Sequence, residues 1–258
     1  MPRIGLKLWS TNMDILPQVS FSYKNSIFDY IELYFVPDTL KGIIEVWSKL
    51  KIPIIVHAPH FDHGFNLADS CAASHNTEIF KDVLKCADIL TSDVIIVHGG
   101  NGGSKNETIR QLKRLKDSRL LIENKPMIGL NGRECIGYTP EDIDEIVDEC
   151  RLGGFVLDFN HAACSARSLS RDPLEYIKSF VARHPKMFHF GDGDYFSLVD
   201  THKHLGHGNM PLTEFIAFLS KGSQVTIETP NDFSKGFSDF ENNRAYFVHL
   251  FGTAEKVN

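Results

Sequence analysis

The chain has 258 residues, a length that suits one large domain or two small ones. Its 27 Lys and Arg residues and 33 Asp and Glu residues give a formal net charge of −6, which excludes a generally basic nucleic-acid coat but not a local basic patch. A hydrophobic share of 42% and a charged share of 23% are those of an ordinary globular protein and argue against disorder.

Short apolar runs with the character of strands recur along the whole chain. In chain order they cover residues 4–9, 30–35, 53–57, 94–98, 120–123, 155–158, 187–190 and 225–228. Several of them, such as residues 54–56 and 94–97, are apolar without alternation, which is typical of parallel strands covered on both faces.

Amphipathic segments of helical length lie between these runs. They cover residues 39–50, 76–90, 107–115, 140–150, 172–184 and 212–220, and residues 240–251 form a last helix. Alternating strands and helices indicate βα units, which fit both a doubly wound sheet and a barrel. The count of eight strands and the length favour an α/β fold in which residues 1–258 form a single (β/α)8 TIM barrel domain.

Cysteine usage and the N-terminus predict where the protein resides. The five cysteines are scattered, odd in number and never spaced as Cys-x-x-Cys, which fits a reducing compartment better than a disulfide framework. The first residues lack a basic region followed by a long apolar run, and no apolar stretch approaches the ~20 residues that span a bilayer. We therefore expect a soluble, cytoplasmic protein without a membrane partner.

Imidazole and carboxylate side chains close six consecutive predicted strands. In chain order they are His57, His98, Glu123, Asp158, His189 and Glu228. The C-terminal ends of barrel strands face the active site, so these side chains are expected to converge. Buried, convergent carboxylates are costly unless they are paired or bound to a metal, and imidazole with carboxylate suits Zn, Mn or Fe. The pattern predicts a metal site.

Further ligand types follow two of these strands. Asp158 and His161 are three positions apart and can reach one site if the chain turns after the strand. Asp200 and His202 are two positions apart, so they share one side of an extended segment and could hold a further metal. Glu32, near the end of the second strand, is interpreted as packed in the barrel or ion-paired, with pocket lining as the alternative.

These motifs together resemble the endonuclease IV superfamily, the metal-dependent barrels that also include xylose isomerase-like sugar isomerases and epimerases. The resemblance covers essentially the whole chain and is carried by His57-x-Pro59, Glu123-Asn124, Asp158-x-x-His161, Asp200-x-His202 and Glu228-Thr229, together with His98 and His189. Likeness to the isomerases implies one metal held by four residues, namely Glu123, Asp158, His189 and Glu228.

Likeness to endonuclease IV implies three zinc ions, with manganese as a possible substitute, and nine ligands. The first ion would be held by His57, His98 and Glu123. Glu123 would bridge to the second, which is also held by Asp158, His189 and Glu228, and the third would be held by His161, Asp200 and His202. Because all nine positions carry the right residue type, the three-metal layout is favoured. It implies phosphoester hydrolysis, with Glu123 and Glu228 as catalytic residues.

The loops that read DNA in endonuclease IV are not matched in this chain. His60 and Phe61 stand where that enzyme has a Tyr and a Leu that probe the duplex, and residues 34–38 contain no Lys or Arg. We predict His60, Phe61, Lys125 and Arg133 as substrate contacts, the last two for a phosphate. DNA, a smaller phosphoester and a sugar all stay open as substrates, as do a one-metal isomerase or epimerase and a non-enzymatic binding barrel.

Overall fold

Eight parallel strands close into a barrel in the part of the chain that the structure describes. The structure is a computed structural model that describes residues 1–254. Its strands are β1 (Arg3–Trp9), β2 (Tyr30–Tyr34), β3 (Ile54–His57), β4 (Ile95–His98), β5 (Leu120–Glu123), β6 (Gly154–Asp158), β7 (Met187–Phe190) and β8 (Gln224–Ile227). They pair in chain order, and β8 pairs with β1. The TIM barrel prediction is confirmed, with each strand end within one residue of its expected position; residues 255–258 of the predicted domain lie outside the described residues.

Helices alternate with the strands over residues 1–254. They are α1 (Leu16–Lys24), α2 (Leu40–Glu45), α3 (Ala73–Ile89), α4 (Lys105–Leu115), α5 (Pro140–Cys150), α6 (Phe159–Ser168), α7 (Pro173–Val181), α8 (Leu212–Ile216) and α9 (Ser238–Ala254). The sequence patterns did not predict α1 and α6. Helix α6 begins directly after β6, where the side chain of the N-cap residue Asp158 accepts a hydrogen bond from the backbone N–H of His161 at 2.7 Å. None of the helices within this range is long and apolar enough to cross a membrane.

The apolar interior occupies the lower part of the barrel and leaves polar side chains at one end. A layer of buried side chains fills the barrel beneath the strand ends, and it consists of Tyr30, Ile55, Ile96, Leu121, Val156 and Met187. The strand register then brings the polar residues to a common level, because His98 lies beside Glu123 and Asp158 beside His189 on neighbouring strands. The fold therefore assembles the candidate site at the C-terminal ends of the strands.

Candidate metal centre

A cavity of about 620 Å³ opens at the C-terminal ends of the strands. Predicted ligands that line it are His57, His98, Glu123, His161, Asp200, His202 and Glu228. The other two, Asp158 and His189, are buried directly beneath them. The structure thus brings all nine predicted ligand positions into one region.

Glu123 lies at the centre of this region and contacts histidines on both sides. Its Oε2 atom lies 3.1 Å from Nε2 of His57 and 3.0 Å from Nε2 of His98. Its Oε1 atom lies 3.1 Å from Nδ1 of His161. Two groups of side chains that could hold an ion share this carboxylate, the first formed with His57 and His98 and the second with Asp158 and His161. Glu123 therefore has the position required of a bridging ligand.

An outer group lies on the loop between β7 and α8. The Oδ2 atom of Asp200 is 2.6 Å from Nε2 of His202 and 3.4 Å from Nε2 of His161. Asp192 holds this loop in place, because its buried carboxylate accepts hydrogen bonds from the backbone N–H groups of Gly206 and Gly208, each at 2.9 Å. The Asp200-x-His202 spacing thus places Asp200 against His161 and His202 against Asp200.

Two charged residues beneath the site, Lys7 and Glu32, were not among the predicted site residues, and lining of the pocket by Glu32 was the alternative interpretation. Lys7 of β1 reaches inward, where its ammonium group lies 2.7 Å from Oε1 of Glu32 and also contacts Oε1 of Glu228. Glu32, His189 and Glu228 form a third group that could hold an ion, but Lys7 already contributes a cation to it. The ion-pair interpretation of Glu32 agrees with this geometry. The sequence does contain a signal for both residues: Lys7 in β1 and Glu32 in β2 each have apolar neighbours on both sides, which is unusual for a charged residue in a buried strand.

Burial and neighbouring charges shift the pKa of several of these groups. Burial lowers the pKa of His57 and of His98, so both imidazoles favour the neutral form that binds metals. Burial also raises the pKa of Asp158, with the nearby charge of Asp200 adding to the effect. Burial works against the charged form of His161 as well, yet the adjacent Asp158 carboxylate outweighs it and raises the pKa of His161 to about 10.

Unpartnered polar atoms indicate that the site suits a metal ion. Nδ1 of His189 and Oδ1 of Asp200 are buried and have no hydrogen-bond partner, although buried polar atoms are nearly always paired. Nδ1 of His189 lies 3.1 Å from Glu228 and 3.5 Å from Glu123, among carboxylates that repel one another. A divalent cation would satisfy these lone pairs, and the mixed imidazole and carboxylate donors suit zinc or manganese.

The four predicted substrate contacts differ in their positions. His60, Phe61 and Lys125 line the cavity, and the ammonium group of Lys125 lies 3.5 Å from Oε1 of Glu123. Arg133 is exposed and is not part of the cavity lining in the described structure. Trp9, which the sequence patterns did not single out as a contact, lines the cavity with 45% of its surface exposed.

Comparison with known proteins identifies the family. A model of the xylose isomerase-like TIM barrel family matches residues 26–245, and the chain belongs to this family. The resemblance drawn from the motifs is thereby confirmed.

Two relatives illustrate the range of the family. The protein named "Probable endonuclease 4" of Thermoplasma volcanium is 26% identical over 233 residues, which are 83% of this chain and 79% of that protein. An uncharacterized protein of Methanocaldococcus jannaschii is 24% identical over 218 residues, which are 77% of this chain and 71% of that protein.

Solved structures share the fold at lower identity. A D-tagatose 3-epimerase-like protein has a TM-score of 0.73 and 21% identity, over 99% of this chain and 100% of that chain. Endonuclease IV from Thermus thermophilus has a TM-score of 0.68 and 19% identity, over 100% of both chains. At these identities the likeness shows the fold alone.

Proposed function

We propose that the protein is a metal-dependent phosphoester hydrolase with a multinuclear centre of up to three zinc ions, which manganese could replace. The observation that carries the proposal is the convergence of the candidate ligands: Glu123 contacts His57, His98 and His189. His161 in turn lies between Glu123 and Asp200. A one-metal enzyme that used four strand-end ligands would need neither His57 and His98 nor the Asp200 loop.

The nine side chains divide into three ligand sets on this proposal. His57, His98 and Glu123 would hold the first ion; Glu123, Asp158, His189 and Glu228 the second; His161, Asp200 and His202 the third. Bound ions would supply an activated water and neutralise the charge that develops on a phosphoester.

The chain's own residues would bind the substrate and position the water. Lys125 would contact a phosphoryl oxygen, because it is a cation within the cavity and next to the ligand cluster. Glu228 would orient the attacking water and accept its proton. Burial alone would raise the pKa of this glutamate, but the nearby charges of His189 and Lys7 outweigh burial and lower the pKa, which keeps Glu228 ionised and able to accept a proton.

The cavity supports a small phosphoester better than a DNA duplex. Its volume of about 620 Å³ is typical of small-molecule sites. Among the described residues that line it, the lysine and arginine side chains are Lys7 and Lys125, and Lys7 is paired with Glu32 and Glu228. Proteins that bind DNA usually contact many phosphates through such cations.

A second candidate, a sugar epimerase or isomerase, is favoured by one distance pattern. Oε2 of Glu123 and Oε1 of Glu228 both lie close to Nδ1 of His189, at 3.5 and 3.1 Å. Two carboxylates around one ligand position could remove a proton from a sugar carbon and return it. On this alternative a single ion suffices, and His57 and Asp200 would matter little.

Metal stoichiometry separates the two candidates. Elemental analysis of protein purified without an affinity tag is expected to give close to three ions per chain, and fewer in His57→Ala. Exposed His207, on the loop that also carries Asp200, is the matched control, and His207→Ala should leave the metal content unchanged. A single ion that is insensitive to His57→Ala contradicts the hydrolase proposal. Activity on small phosphomonoesters and diesters, an abasic-site duplex and a panel of ketoses then identifies the substrate class.

A further inference from the structure

Glu32 and His189 form a fully buried pair beneath the candidate metal centre. Both side chains have 0% exposure, and Oε2 of Glu32 lies 2.9 Å from Nε2 of His189. The same oxygen accepts a hydrogen bond from the hydroxyl of Thr226 at 2.6 Å. Since neither side chain touches solvent, their mutual orientation is set by the protein alone.

We propose that Glu32 is a positioning residue that fixes the tautomer of His189. An ionised carboxylate only accepts hydrogen bonds, so Nε2 of His189 must carry the proton that it shares with Glu32. In a neutral imidazole the lone pair then lies on Nδ1. That atom has no hydrogen-bond partner and lies 3.1 to 4.0 Å from the carboxylates of Glu228, Glu123 and Asp158. Glu32 thus directs the ligand atom of His189 toward the centre.

Lys7 determines on which side of His189 the ion lies. Its ammonium group contacts both Glu32 and Glu228. These two glutamates and His189 form the other group of side chains that could hold an ion. With that side filled by a cation of the protein, a metal is directed to Nδ1 rather than Nε2. Lys7 also balances the charge of Glu32, so this carboxylate stays ionised without a metal of its own.

The inference rests on the metal-binding half of the proposed function and is independent of hydrolysis. Carboxylates that hydrogen-bond to a ligand histidine typically contribute 10–100-fold to metal affinity. Replacing Glu32 alone would leave the half-buried Lys7 with Glu228 and without Glu32, which changes the charge balance beneath the site. Two double variants keep this change constant, because both remove the charges of Lys7 and Glu32 and leave Glu228 equally without its lysine. K7M/E32Q keeps a hydrogen-bond acceptor for His189, and K7M/E32L does not.

Zinc affinity and imidazole NMR test the inference on the whole protein. We expect K7M/E32Q to bind zinc roughly 10–100-fold more tightly than K7M/E32L in competition with a chelator, at equal helical content by circular dichroism. In zinc-loaded wild-type protein with 15N-labelled histidine, the His189 signals, assigned by their loss in His189→Gln, should show a proton on Nε2.

Several results would overturn the inference. In the affinity measurement, these are equal zinc affinity of the two double variants or a wild-type protein that binds no zinc. In the NMR measurement, they are zinc bound to Nε2 of His189 or a proton on Nδ1. A protein that binds zinc through Nδ1 of His189 yet hydrolyses no phosphoester supports this inference and contradicts the hydrolase proposal, so the two can fail separately.

Discussion

Nε2 of His161 lies 3.4 Å from Oδ2 of Asp200, and this contact joins helix α6 to the loop that follows β7. The two residues come from separate βα units and are 39 positions apart in sequence. His202 approaches the same oxygen at 2.6 Å, while the other carboxylate oxygen of Asp200 is buried without a partner. The outer ligand set therefore depends on the Asp200 carboxylate more than on any other single group.

Replacement of Asp200 by Asn tests this dependence. Asn has nearly the same shape but lacks the charge, so we expect the outer ion alone to be lost. Elemental analysis should show about one ion fewer per chain. Phosphoester hydrolysis should fall by at least about 10–100-fold, the range typical of losing a residue that only supports a metal ligand. His207→Asn in the same loop is the control. Full metal content in the Asp200 variant would show that the outer set does not exist.

Acid sensitivity follows from the environment of His60. Burial, together with the nearby positive charge of Lys125, lowers the pKa of His60 to about 3. An unfolded chain has a histidine pKa of about 6.5, so below that pH the unfolded state binds more protons than the folded state. The stability that neutral His60 provides is therefore complete above about pH 6.5 and decreases as the pH falls toward 3.

His60→Gln should remove this part of the pH dependence. Between pH 6.5 and 5, we expect the free energy of unfolding of the metal-free wild type to fall by about 2 kcal/mol more than that of the variant. Urea denaturation of both proteins after treatment with a chelator measures the difference. Parallel stability curves for the two proteins over this range would mean that His60 takes up its proton at the same pH in the folded protein as in the unfolded chain.

The two cations predicted to contact a phosphate should differ in effect. Lys125 lines the cavity and lies 3.3 Å from Nε2 of His161, whereas Arg133 is exposed and away from the cavity lining. We expect Lys125→Met to raise KM for a phosphomonoester by roughly tenfold or more, equivalent to about 1.4 kcal/mol. Arg133→Met should leave kcat and KM within experimental error. Metal content measured on both variants separates lost substrate binding from lost ions, and an Arg133 effect as large as that of Lys125 would contradict the assignment.

The sequence predicted the strands well, and with them the positions of the candidate ligands at the strand ends, because both depend on local patterns. An unbroken apolar run such as residues 95–97 indicates a buried parallel strand, and the His98 that follows it marks the polar end of that strand. Helix α6 was missed because it is only ten residues long and begins directly after β6, with no loop to mark its start. Eight of its residues are buried, including the polar Asn160 and His161, so its pattern is not that of a helix with one face in solvent.

Lys7 shows what local patterns cannot supply. A lone Lys in an apolar strand is ordinarily read as a solvent-facing position. Its inward role arises from the register of the closed sheet, which sets Lys7 beside Glu32, and from the meeting of β1 with β8, which brings Glu228 close. Such contacts between the first and last strands become visible only when the barrel is assembled.

Duplex DNA binding should be weak and only slightly dependent on salt. Proteins that neutralise Z phosphates lose affinity with a slope near −0.9Z on a log–log salt plot. Lys7 is held by Glu32 at 2.7 Å, whereas Lys125 lies 3.5 Å from Glu123 and is the cavity cation better able to contact a phosphate. We therefore expect a slope of about −1 to −2 for an abasic-site duplex. Fluorescence anisotropy at several salt concentrations provides the measurement. A steep slope would indicate phosphate contacts outside the cavity and would favour DNA as the substrate.

Trp9 offers a direct measure of ligand binding, because it is one of only two tryptophans in the chain. Trp47 is fully buried, whereas Trp9 lines the cavity, packs on Tyr34 with ring centroids 4.9 Å apart and keeps 45% of its surface exposed. An aromatic phosphonate that resists hydrolysis should cover this surface and shift the emission to shorter wavelength as water is excluded. Phenylphosphonate titrated into zinc-loaded protein tests this, with Trp9→Phe expected to abolish the shift while Trp47 emission remains. A shift of equal size in Trp9→Phe would place the ligand away from the cavity.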